Sequence, residues 1–275
     1  MALLLSLLTA IVYGAGDFFG GLATKRSAVL TVVFASQVVG LGVLAIAAPV
    51  VGGTWHTSDV LIGAGAGLFG ALAIALLYRA LSIGAMGIVS PVTAVLAAAL
   101  PAIYGLLAGE RPPTAALAGI VLALVAVAVV SFVRAPGQTA RGLPEAIVAG
   151  VLFALFFIAF SRTSPAAGLW PLAGARVASF VAFGLAGLVT RTSLVPRAEA
   201  WPTIAAAGVF DMLANVFYVL AVHTGFIAIV AVISSLYPAS TLTLAAIFLR
   251  ERLSRRQWVG VACAFAGIAS IALAR

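Results

Sequence analysis

Ten apolar runs of about 20 residues follow one another along this chain, and each is long enough to cross a lipid bilayer as one helix. A helix rises about 1.5 Å per residue, so about 20 residues span the ~30 Å hydrocarbon core. The predicted spans are 3–22, 29–50, 59–80, 86–107, 114–133, 144–163, 169–190, 201–222, 226–248 and 257–274. The sequence therefore predicts an all-α membrane protein with ten transmembrane helices.

The composition leaves little room for anything outside the bilayer. Hydrophobic residues make up 64% of the 275 residues and charged residues only 8%, whereas about a quarter of a soluble domain is charged. Ten spans use about 200 residues at ~20 residues each, and this excludes a soluble enzymatic head. We expect a multi-pass protein of the cell inner or plasma membrane.

The two halves of the chain look like copies of each other. A polar stretch at 134–143 separates a first half, residues 1–133, from a second, residues 144–275, with five predicted spans in each. Because five is an odd number, the second copy would enter the membrane in the opposite direction. An inverted repeat of this kind is the architecture of alternating-access carriers, which bind substrate near the midplane between the repeats.

Aligned positions support the repeat. At an offset of 141 residues, Glu110 aligns with Glu251 and Arg111 with Arg252. We expect the two glutamates to be structural caps or ion-pair partners in short loops. The third span carries glycines that predict close helix approach. They are Gly63, Gly67 and Gly70.

Among the ionisable residues, Asp17, Arg176 and Asp211 stand out because they fall well inside predicted spans rather than at their ends. Such a side chain near the bilayer centre costs about 2.5–3.5 kcal/mol, so it is expected to face protein or a water-filled cavity. Tyr13 shares a helical face with Asp17, and Asn215 shares one with Asp211.

Each of these charges has two interpretations. Asp17 could attract a cationic amine or take up a proton, or it could pair with Lys25 and Arg26 at the membrane interface. Arg176 could form a buried ion pair with Asp211 or hold a substrate carboxylate.

The fourth and ninth spans contain uncharged polar residues and prolines. Ser90 and Ser234 each share a helical face with a proline, Pro101 and Pro238, and a proline within a span either lines a cavity or only kinks the helix. His223 is expected to be a loop-end residue. The predicted substrate-binding or coupling residues are Tyr13, Asp17, Ser90, Arg176, Asp211, Asn215 and Ser234.

Several motifs carry a family resemblance. In residues 234–273, Pro238 is followed by Glu251, a Leu-Ser pair at 253–254, Gln257 and Gly260. This segment resembles the end of the EamA-type repeat of the drug/metabolite transporter superfamily. The opening YGAGDFFGGLATK resembles the first helix of that family, and Arg176 matches an arginine common in its second helix.

The resemblance implies a ten-helix 5+5 inverted bundle and a drug or metabolite transporter. Similarity to the related small multidrug-resistance proteins further implies proton coupling through an acidic residue in the first helix. The first half departs from the pattern, since Ala97 stands where Pro238 would map and Gln37 stands where Arg176 would map.

Together these features predict a secondary active transporter that moves a small polar or amphipathic metabolite by alternating access. An amino acid, an amine or a drug-like molecule would fit, driven by its own gradient or by protons. A passive pore or a lipid-translocating protein is the alternative. Enzyme motifs, a P-loop and metal-ligand spacing are missing from the sequence, so we expect no enzyme, no cofactor and no metal. Expected partners are the substrate, protons and the lipid bilayer, without nucleic acid, and we expect a monomer.

The positive charges of the loops predict an orientation. One side of the predicted bundle holds eleven basic residues and the other holds three. The larger group is Lys25, Arg26, Arg79, Arg134, Arg141, Arg191, Arg197, Arg250, Arg252, Arg255 and Arg256; the smaller is Arg111, Arg162 and Arg275. The positive-inside rule places both termini outside the cytoplasm, whereas the family resemblance implies cytoplasmic termini.

A reporter enzyme that is active only in the periplasm, fused after Arg275, should therefore be active. The physical reason is the retention of Lys- and Arg-rich loops on the cytoplasmic side during insertion. A cytoplasmic reporter at the same position serves as the control and should be inactive. The reverse pattern would contradict the charge argument and favour the orientation implied by the family.

Overall fold

The described chain is helical throughout. A computed structural model describes residues 1–83, 86–131, 141–248 and 254–274, except for some side chains within these ranges. Its α helices are α1 (Ala2–Thr24), α2 (Val29–Val51), α3 (Thr57–Ile83), α4 (Met86–Leu107), α5 (Thr114–Ser131), α6 (Leu143–Ser161), α7 (Trp170–Thr190), α8 (Trp201–Val222), α9 (Ile227–Ser234), α10 (Tyr237–Phe248) and α11 (Arg255–Leu273). Short 3-10 turns occur at Pro165–Ala167 and Ala198–Ala200, and these described ranges contain no strand.

Most of these helices are long and apolar enough to cross a membrane. Eight segments meet that criterion, with α9 and α10 counted as one, and α4 and α5 contribute the shorter apolar helices Val92–Leu107 and Thr114–Val129. Every predicted span ends within three residues of the observed helix ends. The prediction of an all-α, multi-pass membrane protein is confirmed.

The ninth span is interrupted in its middle. Helix α9 ends at Ser234 and α10 begins at Tyr237. Pro238 has no N–H, so it cannot donate to the carbonyl of Ser234 as a continuous helix would require. The chain instead makes tighter bonds across the interruption, from Leu236 N to Ile233 O and from Ala239 N to Leu236 O.

Two faces of the bundle can be distinguished by their loops. The terminal face carries both ends of the chain and the loops at 52–56, 108–113, 162–169 and 223–226. The basic face carries the loops at 25–28 and 191–200, together with the C-terminal end of α3. Hydrogen bonds at the ends of the bundle follow this division. Thr54 N donates to Ala166 O at 2.8 Å between two loops of the terminal face, and Thr31 Oγ1 in the first turn of α2 donates to Ser193 O at 2.5 Å on the basic face.

Glu110 caps the start of α9 on the terminal face. Its Oε1 accepts from the backbone N–H of Ile227 at 2.7 Å, and its Oε2 accepts from that of Ala228 at 3.0 Å. Both are N–H groups that a helix cannot satisfy internally at its first turn. The predicted cap role of Glu110 is confirmed, and Glu251, its counterpart, lies outside the described residues.

Glycines let helix backbones touch. A Cβ added at Gly67 of α3 would overlap the carbonyl oxygen of Ala175 in α7. One added at Gly208 of α8 would lie 2.7 Å from the carbonyl oxygen of Ser36 in α2. Gly63 approaches the Pro171 carbonyl of α7 in the same way, while Gly70 lies against the Phe156 ring. The prediction of close helix approach by the third-span glycines is confirmed.

Gly67→Ala should lower the stability of the detergent-solubilised protein, because the new methyl group must displace the α7 backbone. Overpacking of this kind costs about 1–3 kcal/mol. Gly65→Ala is the matched control, since a Cβ at Gly65 would meet nothing within 4 Å. Thermal unfolding monitored by tryptophan fluorescence should show a lower midpoint for Gly67→Ala only. Equal midpoints for the two variants would contradict this account of the α3–α7 contact.

Candidate substrate-binding cavity

A cavity of about 250 Å³ lies among the helices of both halves. It combines polar side chains with aromatic rings. Its polar lining residues are Tyr13, Asp17, Gln37, Thr93, Arg176, Ser179, Asp211, Asn215 and Tyr237, and its phenylalanines are Phe153, Phe156, Phe157 and Phe183. The structure thus brings together five of the seven predicted site residues, Tyr13, Asp17, Arg176, Asp211 and Asn215, which are spread over α1, α7 and α8.

Arg176 is buried and fully engaged on one side of the cavity. Its Nη1 donates to Oε1 of Gln37 at 2.6 Å, and its Nη2 donates to Oδ2 of Asp211 in an ion pair. Ser179 Oγ donates to the same Gln37 oxygen at 3.1 Å. Of the two interpretations, the structure shows the buried ion pair with Asp211. A membrane-embedded guanidinium requires such partners because it stays charged.

The two partners of this ion pair differ in exposure. The side chain of Arg176 is 8% exposed, whereas that of Asp211 is 41% exposed and faces the cavity. Asp211 is therefore accessible to a molecule in the cavity while it neutralises the arginine.

A hydrogen-bond chain connects Asp211 to the first helix. Asn215 Nδ2 donates to the backbone oxygen of Asp211 at 2.7 Å, and Tyr13 OH donates to Oδ1 of Asn215 at 2.9 Å. Gly16 brings α1 against the backbone of Asp211, where a Cβ would lie 3.3 Å from its nitrogen. Helix α1 is thereby positioned on α8 at the level of the ion pair.

Asp17 differs from Asp211 in having no hydrogen-bond or ion-pair partner in the described part of the chain. Its side chain is exposed in the cavity. Among the residues that the structure describes, none donates a hydrogen bond to it, and it forms no ion pair with Lys25 or Arg26. The alternative in which Asp17 pairs with these interfacial cations is therefore not observed.

Ser234 is the predicted site residue that the structure places outside the cavity. Ser234 is 1% exposed and absent from the lining, because the nearby Ile233 and Leu236 pack into an apolar cluster at the helix interruption. The hydroxyl groups of Ser234 and Ser235 have no partner among the described atoms. The side chain of Ser90 lies outside the part of the chain that the structure describes.

Gln37 is a polar residue of the cavity lining that the sequence analysis did not select as a site residue. It contacts Arg176, and these are the two positions that correspond between the halves, 139 residues apart. That correspondence was the available signal, since equivalent positions of a twofold repeat meet wherever they lie on its axis. The phenylalanines gave no such signal, because they are common throughout an apolar chain.

His223 lies at the terminal face, outside the cavity lining. It is the C-cap residue of α8, and its Nε2 is 3.0 Å from Oγ1 of Thr163. Burial lowers the pKa of His223 below its usual value. Its position agrees with the predicted loop-end role.

Comparison with known proteins finds a family match in the second half of the chain. A model of the EamA-like transporter family matches residues 140–273. The predicted EamA resemblance is confirmed, and the all-helical fold agrees with the drug/metabolite transporter superfamily. No curated protein sequence matches the chain significantly.

The EamA-like half and the half before it together have the fold of a solved structure, titled only "Crystal structure of protein". The superposition covers 100% of this chain and 97% of the chain of that structure, with a TM-score of 0.78 and 21% sequence identity. At this identity the similarity shows the fold alone.

Arg176→Ala and Asp211→Ala should each destabilise the protein strongly, because each leaves the opposite charge without its partner. The double variant should recover part of that loss, with a coupling of about 1–3 kcal/mol as for other contacting residues. The free energy of unfolding is measured by denaturant titration in detergent for the unaltered protein, the two single variants and the double variant. Additive losses would show that the ion pair contributes nothing to the fold.

Proposed function

We propose that this protein is a secondary active transporter that moves a small polar or amphipathic metabolite across the cell inner or plasma membrane by alternating access. The observation that carries the proposal is the cavity itself. It holds the carboxylate of Asp17, which has no ion-pair partner among the described residues, together with the ion pair of Arg176 and Asp211, within membrane-spanning helices. Ionisable groups inside membrane-spanning segments mark substrate and proton pathways in membrane proteins.

The family match supports a transporter over other classes of membrane protein. The matched family is one of transporters, and the match covers residues 140–273, which provide Arg176, Asp211 and Asn215. We therefore propose a carrier that works without a cofactor and without enzymatic turnover. Its proposed partners are the small-molecule substrate, protons and the bilayer, and a single chain is the proposed working unit.

The packing of the helices supports an inverted repeat of residues 1–133 and 144–275. In such a repeat α1 to α5 correspond to α6, α7, α8, α9–α10 and α11. If the halves are equivalent, each contact between them should have a counterpart in which every helix is replaced by its equivalent. The α1–α8 contact has the counterpart α6–α3, and the α3–α7 contact has the counterpart α8–α2. Both counterparts are observed. The glycine contacts show the same equivalence between individual residues. The contact of Gly67 with Ala175 has as its counterpart the contact of Gly208 with Ser36.

The two faces of the bundle support alternating access. On the terminal face the halves are joined by the Thr54–Ala166 bond, by Ser164 N donating to Asp59, and by the Glu110 cap on α9. The cavity lining extends in the other direction, to Leu77 near the end of α3 at the basic face. We infer a state that is closed at the terminal face, and transport would require the bonds between the halves on that face to break.

The chemistry of the lining favours an amino acid, an amine or a drug-like molecule. Asp17 and Asp211 can accept hydrogen bonds from an amino group, and the rings can pack on an apolar body. Protons would be coupled through Asp17, because this carboxylate lies in a membrane-spanning helix, lines the cavity and has no ion-pair partner among the described residues.

Reconstitution in liposomes tests the proposal. We expect saturable counterflow of a substrate that is first found by its thermal stabilisation of the purified protein, because a ligand stabilises the state it binds. Non-saturable flux at channel-like rates, or single-molecule conductance, would instead favour a passive pore. Exchange of labelled lipid between leaflets without any soluble substrate would favour lipid translocation.

Asp17→Asn should abolish substrate accumulation driven by a pH gradient, because the amide cannot carry the proton. Folding should persist, since the amide has nearly the same shape, and exchange at equal pH should persist at substrate concentrations high enough to offset weaker binding. Glu145→Gln is the matched control, because Glu145 lies outside the cavity lining and pairs with Arg79 at 3.5 Å. Gradient-driven uptake that is unchanged in Asp17→Asn would exclude Asp17 as the coupling residue.

A further inference from the structure

A second cavity of about 510 Å³ opens on the outer surface of the bundle between α2, α3 and α7. All of its lining side chains are apolar, and the α3 wall includes Leu68 and Leu72, which are 51% and 52% exposed. The groove lies on membrane-spanning segments, so its open side faces the hydrocarbon of the bilayer.

This apolar groove adjoins the central cavity. Ala71, Ile74 and Phe183 line both, so these three side chains form the shared wall. Ala71 and Phe183 are buried, at 7% and 6% exposure, between a surface open to lipid on one side and a polar chamber on the other. A molecule that extends past this wall would place one end among charges and the other in hydrocarbon.

The charge of the central cavity indicates which polar end it would accept. Arg176 is neutralised by Asp211, and this leaves the carboxylate of Asp17 without a partner among the described residues. The cavity therefore carries one excess negative charge when Asp17 is ionised. Tyr13 and Tyr237, with ring centroids 6.1 Å apart, present aromatic rings in the same cavity, and such rings attract cations.

We propose that the groove between α2, α3 and α7 binds the hydrocarbon tail of an amphipathic organic cation whose charged head lies beside Asp17 in the central cavity. This inference rests on the proposed transport function and narrows its substrate to a cation with an alkyl tail that reaches the site from the bilayer. The tail is assigned to the transported molecule rather than to a bulk lipid. The reason is that the groove adjoins a cavity with an excess negative charge, which is opposite to the positive charge of the head.

A homologous series of n-alkyltrimethylammonium ions tests both ends of this site. Binding to the full-length protein in nanodiscs is measured by equilibrium dialysis, with uptake by empty nanodiscs subtracted. The Kd should fall about fourfold for each added methylene group, the factor expected when a methylene is buried in an apolar site. Asp17→Asn should weaken every member of the series by a common factor, because all members carry the same head.

Variants of the groove wall separate the tail from the head. Ala182→Trp fills the groove from α7 and should remove the dependence on tail length while tetramethylammonium still binds. Val181→Trp is the matched control, because the neighbouring Val181 is 50% exposed and does not line the groove, and its series should keep the wild-type slope. Ala75→Trp fills the groove from α3 and should act like Ala182→Trp, so the test does not depend on one variant folding.

The possible outcomes distinguish this proposal from the transport function. A flat wild-type series, or a slope that survives both Ala182→Trp and Ala75→Trp, would overturn the tail site and leave the carrier intact. Failure of every cation to bind a protein that still shows saturable counterflow of another substrate would overturn the cation assignment. Failure of counterflow for every substrate would overturn the proposed function itself.

Discussion

A permanent positive charge inside a bundle of membrane helices constrains the arrangement of this protein. The guanidinium of Arg176 stays ionised, and placing it near the bilayer centre costs about 2.5–3.5 kcal/mol unless partners surround it. Gln37 from α2 and Asp211 from α8 provide those partners, and Tyr13 of α1 is connected to α8 through Asn215. Four helices are thus held around one charge, and the cavity lies where they meet.

The helices could be predicted from the sequence because length and hydropathy are local properties. Lipid cannot satisfy a broken backbone hydrogen bond, so each apolar run has to become a helix. The interruption after Ser234 was not predicted in position, since Pro238 is compatible with either a bend or a cavity. Packing decides between these outcomes, and packing depends on residues distant in sequence. The glycines at 63 and 67 were predictable because a small residue in a span has few other uses.

The part of the site that could be predicted consists of charged residues in apolar spans. Asp17 and Arg176 were identified because a charged side chain is costly in contact with lipid, and both line the cavity. Ser234 did not follow this rule, because a hydroxyl is tolerated in a packed core and need not face a cavity. The partner of Glu110, the start of α9, could not be found from sequence, since that bond spans 117 residues. Contacts between the halves are set by the assembled fold alone.

The contact between Gln37 and Arg176 also bears on how such a chain can arise. In a dimer of two identical halves, equivalent positions that meet on the twofold axis must carry the same residue. A pair of arginines there would repel each other, and neither guanidinium would have the amide oxygen that Gln37 provides, whereas a pair of glutamines would leave Asp211 without a cation. Joining the halves in one polypeptide removes this restriction, because the two sequences can diverge. The second half of this chain is therefore poorly suited to pairing with a copy of itself, and its arginine depends on the dissimilarity of the first half.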